Sequence, residues 1–252
     1  MTLIDTACHY EKSEQVLGDW YEELSSFAVV TKTPIFNNST ITAEHAQELR
    51  TAFERSLHLL RVQCVDGLLV HHAPNLLAPG GEWLFDELIA LKTVGLVRQI
   101  GVSVYSGDIA EQIVDRFPID IVQAPINLLD RRLTQNGTLT RLKAKGVEIH
   151  ARSAFLQGLL LASPAMLPPA FHDVRELLED FQRTALNAGF RPAQAALHYL
   201  LTIPEVSRVL VGVESLSQLN EIIHDFPLET SIDYSCYQVD DVRILDPSCW
   251  VS

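Results

Sequence analysis

The sequence lacks the features that mark disulfide-rich, secreted and membrane-spanning proteins. Its four cysteines lie far apart and form no CxxC pair, which indicates reduced thiols: Cys8, Cys64, Cys236 and Cys249. It contains no run of about 18 apolar residues, so no segment is predicted to cross a membrane. No basic stretch followed by an apolar one opens the chain, so no secretory signal is predicted. These absences favour a cytoplasmic protein.

Positive charge is also scarce. The chain has 19 Lys and Arg against 32 Asp and Glu, which gives a net charge of −13 at pH 7. The basic residues are scattered and form no stripe that could follow a phosphate backbone, so nucleic acid is not a predicted partner. No HxH or HExxH spacing occurs, so no metal site is predicted and a metal-dependent or phosphate-binding lyase barrel is disfavoured. An anionic ligand would have to use local dipoles and single cations.

The common nucleotide-binding loops are missing too, although the chain has the pattern of an α/β protein. No GxGxxG follows a strand, and no P-loop occurs. Short β-branched runs predict seven strands: Leu3–Thr6, Ala28–Thr31, Gly67–Val70, Gln99–Val102, Asp120–Gln123, Glu148–Arg152 and Arg208–Val211. Helical patterns lie between them: Ala43–Arg61, Leu84–Leu96, Asp108–Phe117, Gly137–Lys145, Asp173–Asn187, Pro192–Ile203 and Leu216–Ile223.

This alternation predicts a parallel sheet built from βαβ units. Seven strands over 252 residues fit a (β/α)8 TIM-type barrel better than a doubly wound sheet. There is no low-complexity linker, so residues 1–252 are predicted to form a single domain. Thr42 and Ser215 are expected to cap the helices that follow them.

Four polar residues stand at or just beyond the ends of the first three predicted strands. They are Asp5, Tyr10, Lys32 and His71. Because the carboxyl ends of barrel strands converge, these side chains can meet in one pocket. A lysine ammonium lowers the pKa of a nearby tyrosine, an aspartate holds the lysine, and a histidine orients a carbonyl oxygen. The set suits proton donation to a carbonyl oxygen while a hydride reaches its carbon.

Singly, each of these residues has an ordinary structural explanation. A lysine at a strand end usually reaches solvent, and Tyr10 could be a packing residue. Asp5 could cap a turn, and His71 has a second histidine, His72, beside it. Only the four together favour a catalytic interpretation.

Seven segments of the chain resemble the aldo-keto reductases. They are IDTACHYEKSEQVLG, VVTKT, VDGLLVHHAP, VGLVRQIGVSVYSGD, IVQAPINLLDRR, HARSAFLQGLLL and VLVGVESLSQLNEI, in family order along nearly the whole chain. The resemblance implies a (β/α)8 barrel and a nicotinamide cofactor, usually NADPH, with NAD as the alternative. It also implies that Tyr10 is the general acid and that Asp5, Lys32 and His71 complete the catalytic set.

The resemblance further implies a set of cofactor-binding residues. Ser103 and Gln123 match the positions that hold the nicotinamide amide, and Arg152 stands where an aromatic side chain often stacks on that ring. The loop Ser153–Gly158, which includes Phe155, matches the segment around the pyrophosphate. The positions that match the adenosine site are Gly212, Ser215, Gln218 and Glu221, and the helix start there suits a phosphate.

Several residues depart from the family pattern. Glu11 stands where a glycine usually follows the tyrosine, and Val104 stands where an asparagine usually follows the serine. Gln218 and Ile222 occupy positions where members that prefer NADPH often carry arginine and asparagine. A 2′-phosphate favours a bidentate cation, so weak discrimination between NADPH and NADH is expected.

The family reaches the DTA motif on its second barrel strand, whereas only Met1 and Thr2 precede Leu3 here. The expectation is an incomplete barrel of seven parallel strands with Leu3–Thr6 and Arg208–Val211 as its edges. The protein can close the gap, pair an open edge with another chain, or stay open and poorly stable, so self-association is one of three outcomes. The resemblance also implies reduced or absent turnover, because the family's first strand lines the nicotinamide pocket.

Two functions follow from these observations. The first is an NAD(P)H-dependent oxidoreductase that reduces a small aldehyde, ketone or sugar-like carbonyl to an alcohol. The second is a cofactor-binding or interaction protein that keeps the reductase scaffold with little or no turnover. Glu11 and the absent first strand favour the second, and the intact catalytic four favour the first.

Overall fold

A computed structural model describes residues 2–20, 22, 26–223, 226 and 230–250. The chain packs as two compact units. The first comprises Met1–Ala124 with Leu142–Glu148, and the second comprises Pro125–Arg141 with Ile149–Ser252. The single domain expected from the sequence stays a prediction.

The described residues contain seven strands, whose order in the sheet follows the chain from β1 to β7. They are β1 (Leu3–Asp5), β2 (Ala28–Lys32), β3 (Val65–Val70), β4 (Val97–Ser103), β5 (Ile121–Pro125), β6 (Glu148–Arg152) and β7 (Val206–Val209). Parallel strands in chain order are the arrangement of a (β/α)8-type fold, here incomplete, so the predicted fold class is confirmed. The strand order also confirms the first and last strands as the sheet edges.

Helices follow most strands. They are α1 (Ser13–Asp19), α2 (Ala43–Leu60), α3 (Pro74–Leu77), α4 (Glu82–Thr93), α5 (Gly107–Arg116), α6 (Arg132–Gln135), α7 (Thr138–Ala144), α8 (Arg175–Asn187), α9 (Pro192–Leu201), α10 (Leu216–Ile223) and α11 (Val242–Leu245). The described part of the chain also contains four 3-10 turns: Leu159–Leu161, Pro164–Met166, Pro169–Val174 and Pro247–Cys249. Every predicted helix is present, with ends displaced by no more than about three residues, the usual uncertainty of a boundary predicted from sequence.

The first unit contains β1 to β5 with hydrogen-bonded parallel pairs between neighbours. Val30, Leu69 and Ile121 are buried together, and Leu3 packs against them. Gly101 is needed at this point because a Cβ there would lie 2.4 Å from the Ile121 carbonyl oxygen. Most buried positions of these strands are apolar, which explains why β-branched runs predicted them, and the buried polar exceptions lie toward the carboxyl ends of the strands.

The second unit contains β6 and β7, which pair in parallel with Ile149 opposite Val206 and His150 opposite Arg208. An irregularity between Ile149 and His150 shifts the register there. Strand β7 begins at Val206 and ends at Val209, so it lies two residues earlier in the chain than the predicted segment. The irregularity is a mismatch with the partner strand β6, so the residues of β7 alone could not predict it.

The carboxy-terminal segment is anchored within the second unit by polar contacts. The buried Arg131 donates to the carbonyl oxygen of Tyr234 and lies 4.8 Å from the Tyr199 ring centroid. The Tyr237 hydroxyl donates to Asp180 Oδ2 at 2.8 Å. Burial is the main cause that raises the pKa of Tyr237 to about 12, so the hydroxyl stays protonated and keeps this contact at neutral pH.

Candidate active site

Asp5 and Lys32 form an ion pair at the carboxyl ends of β1 and β2. Lys32 Nζ lies 2.6 Å from Asp5 Oδ2 and also donates to the Thr6 carbonyl oxygen at 2.8 Å. Only 2% of Lys32 is exposed. A buried ammonium group needs such partners to stay charged, so these contacts fix both its charge and its position.

Tyr10 and His71 lie beside this pair. The Tyr10 ring centroid is 5.1 Å from Lys32 Nζ and 6.0 Å from the His71 ring, which it meets edge to face. Tyr10 is 45% exposed, so its ring can be reached from solvent. The structure therefore brings together all four residues that the sequence predicted as catalytic.

The position of His71 depends on the loop after β2. Its backbone N–H donates to Thr33 Oγ1 at 3.2 Å. His71 follows directly on β3, and its ring is the one that meets the Tyr10 ring. The geometry favours the choice of His71 over His72.

Sequence reasoning missed the direct contact of Gln123 with the ion pair. Gln123 Nε2 donates to Asp5 Oδ1 at 2.7 Å, so each carboxylate oxygen of Asp5 has its own donor. Gln123 is 1% exposed and Ser103 is 6% exposed. The contact could have been expected from the position of Gln123 on β5, because the carboxyl ends of parallel strands lie on the same side of the sheet.

The sequence did not indicate the contacts of His9 either. Its Nε2 accepts from the Ile35 backbone N–H at 3.1 Å, and its ring centroid lies 6.0 Å from that of His71. A nitrogen that accepts from a backbone N–H carries no proton of its own. His9 therefore ties the loop after β2 to the loop that carries Tyr10.

A buried carboxylate joins α1 to β2. Glu14 is 4% exposed and accepts from Thr31 Oγ1 at 2.7 Å. It lies in the first turn of α1, where a negative charge is favourable. Burial, followed by the charge of Glu14, raises the pKa of the Cys8 thiol to about 11, so this cysteine is neutral at physiological pH.

Glu11 has a backbone conformation that explains the usual family residue at its position. Its φ is 44°, in the left-handed region that a glycine adopts without steric cost. The side chain is exposed, and it adds a carboxylate next in sequence to Tyr10. The departure from glycine therefore changes local strain and charge but does not prevent the turn.

The second unit contains a cleft of about 970 Å³ that takes in most of the predicted cofactor residues. Those lining it are Ser153, Phe155, Gly158, Gly212, Gln218 and Glu221. Ser215 caps α10, since its Oγ accepts from the Gln218 backbone N–H at 3.2 Å. Arg152 lies outside the lining and donates from Nη1 to Ser153 Oγ at 3.3 Å.

The backbone of this cleft fits a nucleotide. Four residues of the loop after β6 have positive φ: Ser153, Leu156, Gln157 and Gly158, at 58°, 47°, 51° and 85°. Such strained turns concentrate at ligand-binding loops, where they direct backbone groups toward a ligand. A Cβ built on Gly212 would meet no atom within 4 Å, so space remains beside it. The residues therefore fit the pyrophosphate and adenosine of a nicotinamide cofactor.

A different cleft of about 730 Å³ lies in the first unit, near the amino-terminal ends of β1 to β3. None of the four predicted catalytic residues lines it. The cations on its wall are already paired, Arg61 with Asp19 at 2.6 Å and Arg98 with Asp66 at 2.8 Å. It offers no arrangement for carbonyl chemistry.

Over the described part of the chain, no group of three His, Cys, Asp or Glu side chains is placed to hold a metal ion. No helix in the same part combines the length and the hydropathy needed to cross a membrane.

Comparison with known proteins agrees with the geometry. The family model described as "Aldo/keto reductase family" matches residues 1–243. An L-galactose dehydrogenase of Arabidopsis thaliana is 28% identical over 238 residues, which cover 88% of this chain and 72% of the relative. An L-glyceraldehyde 3-phosphate reductase of Escherichia coli (strain K12) is 29% identical over 154 residues, 50% of this chain and 44% of the relative.

Solved structures show the same fold. The holo form of an aldo-keto reductase from Bacillus halodurans superposes with a TM-score of 0.72 at 21% identity, and the match covers 88% of this chain and 76% of the other. Since the family model spans nearly all of the sequence, the chain belongs to the aldo/keto reductase family and is an NAD(P)-dependent oxidoreductase that acts on carbonyl groups.

Proposed function

We propose that this protein reduces the carbonyl of a small aldehyde, ketone or sugar-like substrate to an alcohol, with NAD(P)H as the reductant. The observation that carries the proposal is the cluster of Tyr10, His71 and the buried ion pair of Lys32 with Asp5. The relatives named L-galactose dehydrogenase and L-glyceraldehyde 3-phosphate reductase favour a hydroxylated, sugar-like carbonyl.

Each residue has a distinct role in the proposed reaction. Tyr10 donates a proton from its hydroxyl to the carbonyl oxygen as negative charge develops there. The charged Lys32, 5.1 Å from the Tyr10 ring centroid, favours the phenolate that this transfer leaves. Asp5 holds Lys32 in place, and His71 orients the carbonyl oxygen by a hydrogen bond.

The cofactor residues are assigned from the same resemblance. Ser103, Gln123 and Arg152 are proposed for the nicotinamide, and the loop Ser153–Gly158 for the pyrophosphate. The adenosine end is assigned to Gly212, Ser215, Gln218 and Glu221, at the cleft and the start of α10. When bound, the cofactor supplies a hydride to the carbonyl carbon. A single domain over residues 1–252, a cytoplasmic location and self-association through the sheet edges belong to the same proposal.

A cofactor-binding protein with little turnover is the second candidate. One observation that favours it is the exposed carboxylate of Glu11, next in sequence to Tyr10. The other is the edge position of β1, which pairs only with β2 among the described strands. In that case the same residues would hold a nucleotide without productive proton transfer.

One experiment separates the two candidates. Binding of NADH and NADPH is measured by isothermal titration calorimetry, and turnover is followed as loss of reduced-nicotinamide absorbance with glyceraldehyde and with a generic aliphatic aldehyde. Turnover that Tyr10→Phe abolishes supports the reductase. Binding without turnover selects the second candidate, and absence of both binding and turnover contradicts both.

A further inference from the structure

We infer that the nucleotide cleft of the second unit selects NADH over NADPH, and that Glu214 is the residue that makes the selection. This inference rests on the proposed function, because it requires the cleft to hold the adenosine end of the cofactor. It goes further by assigning a role to Glu214, which neither the motif nor the resemblance singled out. It also reverses the preference for NADPH that is usual in the family.

The charge of the cleft favours NADH over NADPH. Its charged lining residues are Glu214 and Glu221, and the described lining contains no Lys, Arg or His. A 2′-phosphate carries up to two negative charges and normally requires a cation, most effectively an arginine. A ribose diol, by contrast, donates hydrogen bonds to a carboxylate, as in other nucleotide sites that select NADH. Two carboxylates therefore favour the diol and disfavour the phosphate.

Gln218 does not replace the missing cation. Its Oε1 accepts from the Glu214 backbone N–H at 2.7 Å, and its own backbone N–H donates to Ser215 Oγ. The side chain is thus folded back on the start of α10. The contact also holds the backbone of Glu214 next to the first turn of α10.

Arg191 is a neighbouring cation, but it lies outside the cleft lining. It lines a separate shallow depression with Ser217, Asn220 and Glu221. Its Nη1 is 3.5 Å from the carbonyl oxygen of Glu221, a contact with the backbone of α10. Its guanidinium is therefore directed to the backbone of α10 and is not among the side chains that line the cleft.

Space for a ribose is present beside Glu214. Gly212 precedes it by two residues and lines the same cleft. A Cβ built on Gly212 would have no neighbour within 4 Å, so this wall is open where a hydroxylated ring would approach. Glu214 itself is exposed and can turn toward that space.

The test measures dissociation constants of NADH and NADPH by calorimetry on the whole chain, without substrate. The wild type is expected to bind NADH about tenfold or more tightly than NADPH, the effect of one charged contact. Glu214→Gln should reduce this ratio about tenfold, and Glu214→Arg should invert it. Added salt should strengthen NADPH binding relative to NADH in the wild type, since it screens the repulsion, and this response should shrink in Glu214→Gln.

Glu179→Gln is the matched control, because Glu179 is exposed on α8, does not line the cleft and loses the same charge. In this control variant the ratio of the NADPH and NADH dissociation constants should equal that of the wild type. Equal affinities for the two nucleotides, tighter NADPH binding, or an unchanged ratio in Glu214→Gln would overturn this inference and leave the proposed function standing. Failure to bind either nucleotide would overturn the proposed function and the inference with it.

Discussion

Asp5 bridges Lys32 and Gln123, with one carboxylate oxygen 2.6 Å from Lys32 Nζ and the other 2.7 Å from Gln123 Nε2. The three residues come from β1, β2 and β5, and Gln123 is 118 positions from Asp5 in the sequence. The carboxylate therefore orders both the buried lysine beside Tyr10 and a glutamine proposed to hold the nicotinamide.

Removing the charge of Asp5 should destabilise the fold. In Asp5→Asn the nearly buried Lys32 loses its counter-ion, and the free energy of unfolding should fall by about 2–4 kcal/mol, slightly below the usual range because the Asp5 side chain is 18% exposed. Urea denaturation measures the change. Asp19→Asn is the control, since its partner Arg61 is exposed, and a loss of about 0.5 kcal/mol or less is expected. Equal effects of the two substitutions would contradict the structural role of the pair.

Replacing the Tyr10 hydroxyl should remove turnover without affecting cofactor binding. Tyr10→Phe keeps the ring beside Lys32 and His71 but cannot donate a proton, so kcat should fall by about 100-fold or more. Steady-state kinetics and nucleotide binding, measured on the same preparation, check both parts. A variant that remains as active as the wild type would rule out Tyr10 as the general acid.

A cation at position 218 should move the cofactor preference toward NADPH. Gln218→Arg places a guanidinium on the cleft wall. The difference between the binding free energies of NADH and NADPH should shift toward NADPH by about 1 kcal/mol or more, the scale of a charged hydrogen bond. The substitution also removes the acceptor for the Glu214 backbone N–H, so a small loss of stability should accompany it. An unchanged ratio would show that a 2′-phosphate does not approach this position.

Cys8 should resist alkylation even though it lies two residues before Tyr10. Because burial raises the pKa of its thiol to about 11, almost none of it is the reactive thiolate at neutral pH. Limited treatment with iodoacetamide followed by peptide mass spectrometry should modify the exposed Cys236 and Cys249 first. Labelling of Cys8 at the same rate as these two would mean that the loop of Tyr10 opens to solvent.

Acid should loosen the contacts of the carboxy-terminal segment through His198. Its ring lies 4.9 Å from Phe190, its Nδ1 is 2.9 Å from the Tyr234 hydroxyl, and burial lowers its pKa. The unfolded chain takes up the proton near pH 6.5, so the stability that depends on the neutral ring is complete above that value and is lost as the pH falls below it.

Thermal unfolding at about pH 7.5 and about pH 5.5, on either side of the ordinary histidine pKa, measures this dependence. The Tm should fall less on acidification in His198→Phe, which keeps an aromatic ring but has no proton to gain, than in the wild type. Identical acid sensitivity of the two proteins would assign the effect to other groups.

The sequence by itself determined the parallel αβ pattern and the cluster around Tyr10. Buried parallel strands need β-branched apolar runs, and their carboxyl ends meet on one side of the sheet, so Asp5, Lys32 and His71 could be brought together from their positions in the chain alone. The start of α10 was equally readable from the sequence, because Ser215 Oγ accepts from the Gln218 backbone N–H and this local contact needs no distant partner to form.

Only the tertiary structure decided which side chains meet across long separations. The bond from Gln123 to Asp5 depends on the register of distant strands, and no local pattern reports a register. The resemblance likewise assigned Gln218 to the adenosine site, but only the fold shows that its Oε1 accepts from the Glu214 backbone N–H. Side-chain hydrogen bonds form only within about 3 Å and with suitable angles, and strand register and rotamers set such distances after the chain has folded.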